Sequence, residues 1–411
     1  MSTFNAVHLA KRPTSDIIPG ETFEVKVHPT PKETDLKDGQ VIFQSNYLSL
    51  DPAMRGWLKD ARSYVPPVKI GEIMRGAAVG KVVGSKSSKF PVGSYATATC
   101  GWAELAVVSD KYVEKVELPS NASIADSLGI LGTHMDCRSL CGYLETILRP
   151  RFPITSSGDL IKTGLSAPRS RLQPINRTPL FKISDNSHGF ALTTQGLTGL
   201  TAYFGILDVG QVKAGDFVVV SGAAGATGSV VGQICKIKGA RVLGLAGTDD
   251  KCAWLINELG FDAALNYKEQ NFPKNFRDAT KGLIDIFFDN VGGDILDMAL
   301  GRAKPHSRFV MCGGISQYNA AEAKGPKNYM MIVAMRIRMQ GFIVTDYESQ
   351  FVEARRELAQ WMSEGKIKGK LHIVRGGLEK AEQALVDLYK GVNTGKLLVE
   401  IKPDADTKSK L

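Results

Sequence analysis

The chain reads as an α/β protein: a doubly wound parallel sheet with a small antiparallel β-barrel beside it. Two observations carry this. Between about residues 197 and 345, short apolar strands alternate with helical segments, the pattern of a parallel sheet covered on both faces. Before about residue 130, β-prone runs separated by Gly and Pro suit a small antiparallel barrel. At 411 residues the chain exceeds one ordinary domain, and each of two domains can bury a real core.

In the first part, Val41–Asn46, Ala78–Val83 and Trp102–Val108 read as strands. In the alternating part, the expected strands are Phe217–Val220, Arg241–Leu245, Ala263–Asn266, Ile284–Asp289, Arg308–Met311 and Met339–Ile343. The expected helices are Gly228–Lys238, Asp250–Leu259, Asp294–Ala299 and Tyr347–Glu364. From Lys366 to Lys402 the pattern returns to strand, helix, strand. The expected organisation is therefore 1–132 for the first part of the barrel domain, 133–196 for an insertion, 197–345 for the parallel sheet, 346–402 for a return to the barrel, and 403–411 for a tail.

Thr133–Gly196 has neither helical nor strand periodicity, and it holds five of the 18 prolines, with eight Lys/Arg against four Asp/Glu. Structureless loops this long are uncommon inside compact domains. Without it, Leu128-Gly-Ile-Leu-Gly132 would run smoothly into Leu197-Thr-Gly-Leu-Thr-Ala-Tyr-Phe204. The segment reads as a translated, unspliced intron or similar gene-model error, with a genuine surface insertion as the alternative. Its His134, Cys137 and Cys141 lack a second ligand pair at metal spacing, so no metal is expected there.

A hydrophobic share of 43% and a charged share of 23% are those of a soluble globular protein. No apolar run approaches the roughly 18 residues of a membrane span. Met1–Pro13 shows no secretory signal. The net charge of +9 is spread along the chain instead of forming one basic element, which argues against nucleic acid and fits an enzyme holding phosphorylated cofactors. Six cysteines (100, 137, 141, 235, 252 and 312) form no paired framework, so reduced thiols are expected. The last three residues, Ser409-Lys410-Leu411, match the tripeptide read by the peroxisomal import receptor, so a peroxisomal location is expected.

Asp216–Lys236 is a short apolar strand, a glycine-rich turn and an apolar helix. Gly222, Gly225 and Gly228 permit a tight turn and close approach of backbone N–H groups to an anion, and the helix points its positive end there. Placed between strand and helix, such a loop points to a nucleotide cofactor, against the bland reading of a surface turn. The end of the second strand, Leu245-Ala246-Gly247-Thr248, carries no acid for a ribose 2′-hydroxyl until Asp249. Lys251 follows and is able to pair with a 2′-phosphate, or else is simply solvated.

The run Asn46-Tyr-Leu-Ser-Leu-Asp-Pro-Ala-Met-Arg55 and the glycine turn Gly222–Ser229 are joined by Gly247–Lys251, Phe288-Asp-Asn-Val-Gly-Gly293, Cys312-Gly-Gly-Ile-Ser-Gln-Tyr-Asn319 and Gly391-Val-Asn-Thr-Gly-Lys396. In these pieces the chain resembles the zinc-independent medium-chain dehydrogenase/reductases, specifically the NADP-dependent alkenal/one oxidoreductase and prostaglandin reductase branch. The likeness spans almost everything except Thr133–Gly196 and the tail. It implies a Rossmann-type sheet with a GroES-like barrel, NADPH as cofactor and a homodimer. It also implies a cofactor site of Gly225, Ala226, Thr227, Gly228, Gly247, Thr248, Lys251, Tyr267, Asn290, Cys312, Gly313, Gly314, Ile315, Ser316, Gln317, Tyr318, Phe342, Ile343, Val344 and Asn393. The Cys, His-Glu and four-cysteine ligands of the zinc alcohol dehydrogenases are missing: Cys100 stands alone, and His8 and His28 have no ligand-spaced partners.

The expected reaction reduces a carbon–carbon double bond conjugated to a carbonyl, with donors aimed at the charge that develops on oxygen. Tyr318 is the candidate donor, against the plainer reading that it packs beside the cofactor, and Tyr47 is a second candidate lining the cleft. Ala53 stands where many relatives carry an aromatic residue, which bears on substrate preference and not on the reaction class. Quinone reduction, a tailoring dehydrogenase of lipid or polyketide metabolism, and a non-catalytic NADPH-binding protein are the alternatives.

Overall fold

The structure, a computed structural model, describes residues 2–116, 125 and 197–403. The Thr133–Gly196 insertion, with His134, Cys137 and Cys141, and the terminal Ser409–Leu411 lie outside the described residues.

The chain opens with an antiparallel pair, β1 (Thr3–Leu9) and β2 (Phe23–Pro29). A second sheet begins with β3 (Gln40–Ser49), β4 (Ala78–Ser85), β5 (Tyr95–Ala98), β6 (Leu105–Ser109) and β7 (Val113–Lys115), and β3 leads into one helical turn, α1 (Met54–Trp57). β3 is longer than Val41–Asn46 because both of its edges are paired, to β4 and to β6. At Gly80 the partner strand comes so close that a Cβ would lie 1.8 Å from Gln44 O, so only glycine fits. Trp102, Phe43, Leu48 and Met54 are the buried centre of this unit.

The second unit starts with α2 (Leu197–Phe204), which runs on through a π turn to Val209. Its parallel sheet is built from β8 (Phe217–Val220), β9 (Arg241–Ala246), β10 (Ala263–Asn266), β11 (Ile284–Asp289), β12 (Ala303–Met311) and β13 (Arg338–Gly341). Val218, Val219 and Val220 are wholly buried, as a strand covered on both faces must be. The strand order β10-β9-β8-β11-β12-β13 is Rossmann-type, reversing direction between β8 and β11. The covering helices are α3 (Ala226–Ile237), α4 (Asp249–Asn257), α5 (Phe272–Ala279) and α6 (Gly293–Leu300). Two short ones, α7 (Ile315–Tyr318) and α8 (Met330–Ala334), precede α9 (Phe351–Ser363). The chain then returns to the first unit with β14 (Leu371–Val374), α10 (Ala381–Tyr389) and β15 (Lys396–Glu400), and β15 pairs with β3.

Differences from the sequence reading have local causes. β12 begins at Ala303, not Arg308, because a bulge at Pro305 and His306 (φ 63°) shifts its register, pairing Ile284 with Ala303 and Ile286 with Arg308. The expected helix Tyr347–Glu364 is a 3₁₀ turn, Val344–Gln350, followed by α9. α5 lacks a side-chain cap and has proline in its first turn, which hid it among polar residues. Among the described residues no helix is long and apolar enough to cross a membrane.

Candidate active site

The crevice lies at the carboxyl ends of β8 and β11, where the strand order reverses. Gly222 takes φ +57° to turn the chain out of β8, and a Cβ on Gly228 would stand 2.5 Å from Gly222 O. The turn is thus folded flat against the first turn of α3. Gly225 caps that helix with its backbone alone. The N–H groups of Ala226, Thr227 and Gly228 belong to the first helical turn, which has no carbonyl of its own to bind. Such N–H groups, with the helix dipole behind them, suit an anion placed at the turn.

Beneath the turn, Asp289 at the end of β11 is wholly buried. Its carboxylate accepts from Ser221 Oγ (2.7 Å) and from the N–H groups of Val291 (2.9 Å) and Gly292 (3.0 Å). Burial nevertheless pushes its carboxyl above the ordinary range. Asn290 donates to Ser221 O (2.7 Å). These bonds tie the two strand ends into one rigid floor.

At the outer end of the crevice, Thr248 caps α4, and Lys251 Nζ donates to Gly391 O at 2.6 Å. Burial, then the neighbouring Lys268, lowers the Lys251 pKa. Above Gly247 stand Tyr267 Oη and the Lys268 side chain, 2.8 and 3.4 Å from where a Cβ would be. Asp249, the first acid after the strand end, is turned aside to accept from Asn266 Nδ2 (2.8 Å). Two cations and a phenol beside Gly247, with Asp249 engaged elsewhere, suit a phosphate ester better than a free ribose hydroxyl. Lys268 went unnoticed in the sequence, since a lysine just past a strand normally reads as solvated.

At the inner end, Tyr318 Oη accepts from Gly314 N–H at 3.1 Å, and burial raises its pKa. Cys312, Tyr64 and Asp289 add to that rise, and Tyr318 in turn raises the pKa of Tyr389. Tyr64 is 55% exposed, and nothing in its sequence neighbours singles it out. Cys312 sits behind Tyr318, its thiol pushed up to about 12 by burial and then by Asp289. Around them, Gly313 leaves room for Tyr318 Oη 3.0 Å from its missing Cβ, Ile315 N–H donates to Asn290 O, Ser316 Oγ donates to Val291 O (2.6 Å), and Gln317 reaches Ser316 Oγ. Phe342 packs its ring on Gly205, with Ile343 and the buried Val344 following. Asn393 Nδ2 is satisfied by Gly395 O, and Gly395 N–H donates to Ala224 O, so the Gly391–Lys396 loop closes directly on the glycine turn.

Tyr47 is placed differently from Tyr318. It is 7% exposed, donates to Glu400 Oε1 at 3.0 Å and packs with Val79, Val116 and Leu398. The geometry favours Tyr318 as the donor. His8 and His28, separate in the sequence, come together instead, with Nε2 atoms 2.9 Å apart and ring planes within 13°. Among the described residues no group of three or more His, Cys, Asp or Glu could hold a metal ion. Cys100, Cys235, Cys252 and Cys312 are free thiols.

Fold and crevice together define a two-domain nucleotide-dependent oxidoreductase. Residues 5–116 match the family described as the N-terminal domain of oxidoreductase, and residues 226–363 the one described as zinc-binding dehydrogenase. The NADPH-dependent curcumin reductase of Escherichia coli (strain K12) is 34% identical over 405 residues, covering 96% of each chain. Prostaglandin reductase 1 of Bos taurus is 34% identical over 381 residues, 92% of this chain and 93% of its own. The structure of CurA in complex with NADPH from Vibrio vulnificus superposes with a TM-score of 0.75 at 32% identity, over 97% of this chain and all (100%) of the other. The chain belongs to the medium-chain dehydrogenase/reductase family, in the branch of NADP-dependent alkenal and prostaglandin reductases.

Proposed function

We propose that this chain catalyses the NADPH-dependent reduction of the carbon–carbon double bond of α,β-unsaturated aldehydes and ketones. The observation that carries this is Tyr318: one lone pair of its hydroxyl is taken by Gly314 N–H, which leaves the O–H proton to donate into the crevice. The residues present fit the cofactor. The N–H groups of Ala226, Thr227 and Gly228 would hold the pyrophosphate, Lys251, Tyr267 and Lys268 the adenosine phosphate, and the wall Cys312–Tyr318 and Asn393 the remainder.

NADPH held there would supply the hydride, which the β-carbon accepts. As that bond forms, the π electrons shift and negative charge gathers on the carbonyl oxygen. Tyr318 donates its hydrogen bond to that oxygen, and its raised pKa keeps the proton on the phenol at neutral pH. A proton from solvent completes the α-carbon, and the saturated carbonyl leaves. Asp289 holds the floor beneath, and the Gly391–Lys396 loop covers the crevice from the barrel side.

The test is a panel of 2-alkenals, enones and quinones with NADPH and NADH. Replacing Tyr318 with Phe should lower kcat on enones by about 100-fold, the scale of one oxyanion donor, with NADPH affinity little changed. Turnover confined to quinones, or a Phe variant as fast as the parent, would reject the assignment. The terminal Ser409-Lys410-Leu411 supports a peroxisomal location, and hence lipid-derived enals as substrates. Deleting the tripeptide should leave a fluorescent fusion in the cytosol. The exposed Tyr329, Met330 and Val333 beside the edge strand β13 support a homodimer.

A further inference from the structure

We propose that Arg55 is a positioning residue for the reduction: it clasps the two domains together through Asn319 and so fixes the end of α7 that carries Tyr318. The inference rests on the reading of Tyr318 as the donor to the substrate oxygen. Arg55 is wholly buried at the edge of the barrel unit, in α1. Its Nη2 donates to Pro13 O (3.1 Å) and Ser15 O (2.6 Å), and its Nε donates across the crevice to Asn319 Oδ1 (2.9 Å). Asn319 follows Tyr318 directly and ends α7.

α7 needs such a hold. It has four residues, none of them buried, and no side-chain cap. Its beginning is fastened by Ile315 N–H to Asn290 O and Ser316 N–H to Val291 O, both 3.1 Å. The Tyr318 end is held from the other domain by Arg55. The guanidinium reaches three acceptors on two chain segments, one in each domain, from one rigid plane, which an ammonium on a flexible stem does not reproduce. Its Nη1 is buried with no hydrogen-bond partner, an arrangement that packing for stability alone would not favour over an apolar side chain. Tyr389, at the end of α10 with its hydroxyl on Pro52 O (3.2 Å), lies close enough to feel both the Arg55 charge and the Tyr318 phenol.

The experiment compares Asn319→Ala, Asn319→Asp and Arg55→Lys in the full chain, each alone and with Tyr318→Phe, using a 2-alkenal and NADPH. Asn319→Ala should lower kcat by about tenfold, the effect expected of a modest misplacement, while the NADPH Kd from fluorescence titration stays within about twofold. Asn319→Asp keeps the acceptor and should recover most of the rate. With Tyr318→Phe already present, Asn319→Ala should cause no further loss, because it acts through that phenol. Parental kcat in Asn319→Ala, or losses that simply multiply in the double variant, would overturn the proposal. If Arg55→Lys does not fold, Asn319→Ala carries the test alone. A Tyr318→Phe variant with parental turnover would instead reject the donor reading itself, so the two failures are distinct.

Discussion

Lys251 and Lys268 form the most informative pair of single residues outside the reacting centre. Lys251 is held by Gly391 O, and its charge is opposed by burial and then by Lys268, so an incoming phosphate relieves a repulsion that the free chain carries. Replacing Lys251 with Ala should weaken NADPH by roughly 30-fold, since a charge-assisted hydrogen bond contributes about 2 kcal/mol. Lys268 is exposed and its removal should weaken NADPH by only about fivefold, as for a screened ion pair. NADH affinity should be unchanged in both, which equilibrium titration of the two cofactors would check. The sign with pH follows from the lowered Lys251 pKa: the ammonium is lost below the usual lysine value, so NADPH binding to the free chain should weaken as pH rises toward 10 from below. Tyr318 behaves oppositely. Its raised pKa keeps the donor intact through and beyond the ordinary phenol range near 10, so kcat should not fall at neutral or mildly alkaline pH.

Among the elements, α3 decides whether the crevice exists. Gly228 lets its first turn touch Gly222 O, and Gly232, one turn on, lies under the ring of Phe261, whose Cζ would be 1.9 Å from an added Cβ. Phe261 is buried and has no open space to swing into. Gly232→Ala should therefore lower stability by about 2 kcal/mol, the scale of overpacking, seen as a reduced Tm with cofactor specificity retained. Gly228→Ala collides with backbone, and should abolish NADPH binding even in protein that still folds. The strand–turn–helix order made α3 and its glycines legible in the sequence, because the signal is local: β-branched strand, glycines, apolar helix. Lys251 and Tyr318 were legible through short motifs for the same reason. Arg55 was visible only as a motif member, because its partner Asn319 is 264 residues away. Lys268 and Tyr64 were missed since nothing in their neighbours distinguishes them from solvated side chains. Tyr47 looked like a cleft residue, but the alternation of β3 turns it toward Glu400 instead.

For the molecule as a whole, the two domains are joined by more than the chain that crosses between them. Gln233 on α3 is 3% exposed; its amide donates to Lys368 O (2.9 Å) and accepts from Lys368 N–H (2.8 Å), pinning the segment that leads from α9 into β14. Gly395 N–H to Ala224 O and Arg55 to Asn319 close the same seam from the barrel side. The crevice is thus gripped at both ends, and its width is set by contacts that skip far along the sequence. The outer face is another matter. β13 ends the parallel sheet with one side unpaired among the described residues, and Tyr329, Met330 and Val333 beside it are 59%, 56% and 67% exposed. An open strand edge next to apolar side chains favours pairing with a second copy, since it would satisfy ladder groups and remove apolar surface from water together. Val333→Glu should convert a dimer to a monomer in sedimentation velocity while leaving NADPH affinity intact, because Val333 lies outside the crevice. A parent chain that already sediments as a monomer at micromolar concentration would dismiss the homodimer and leave this edge to solvent.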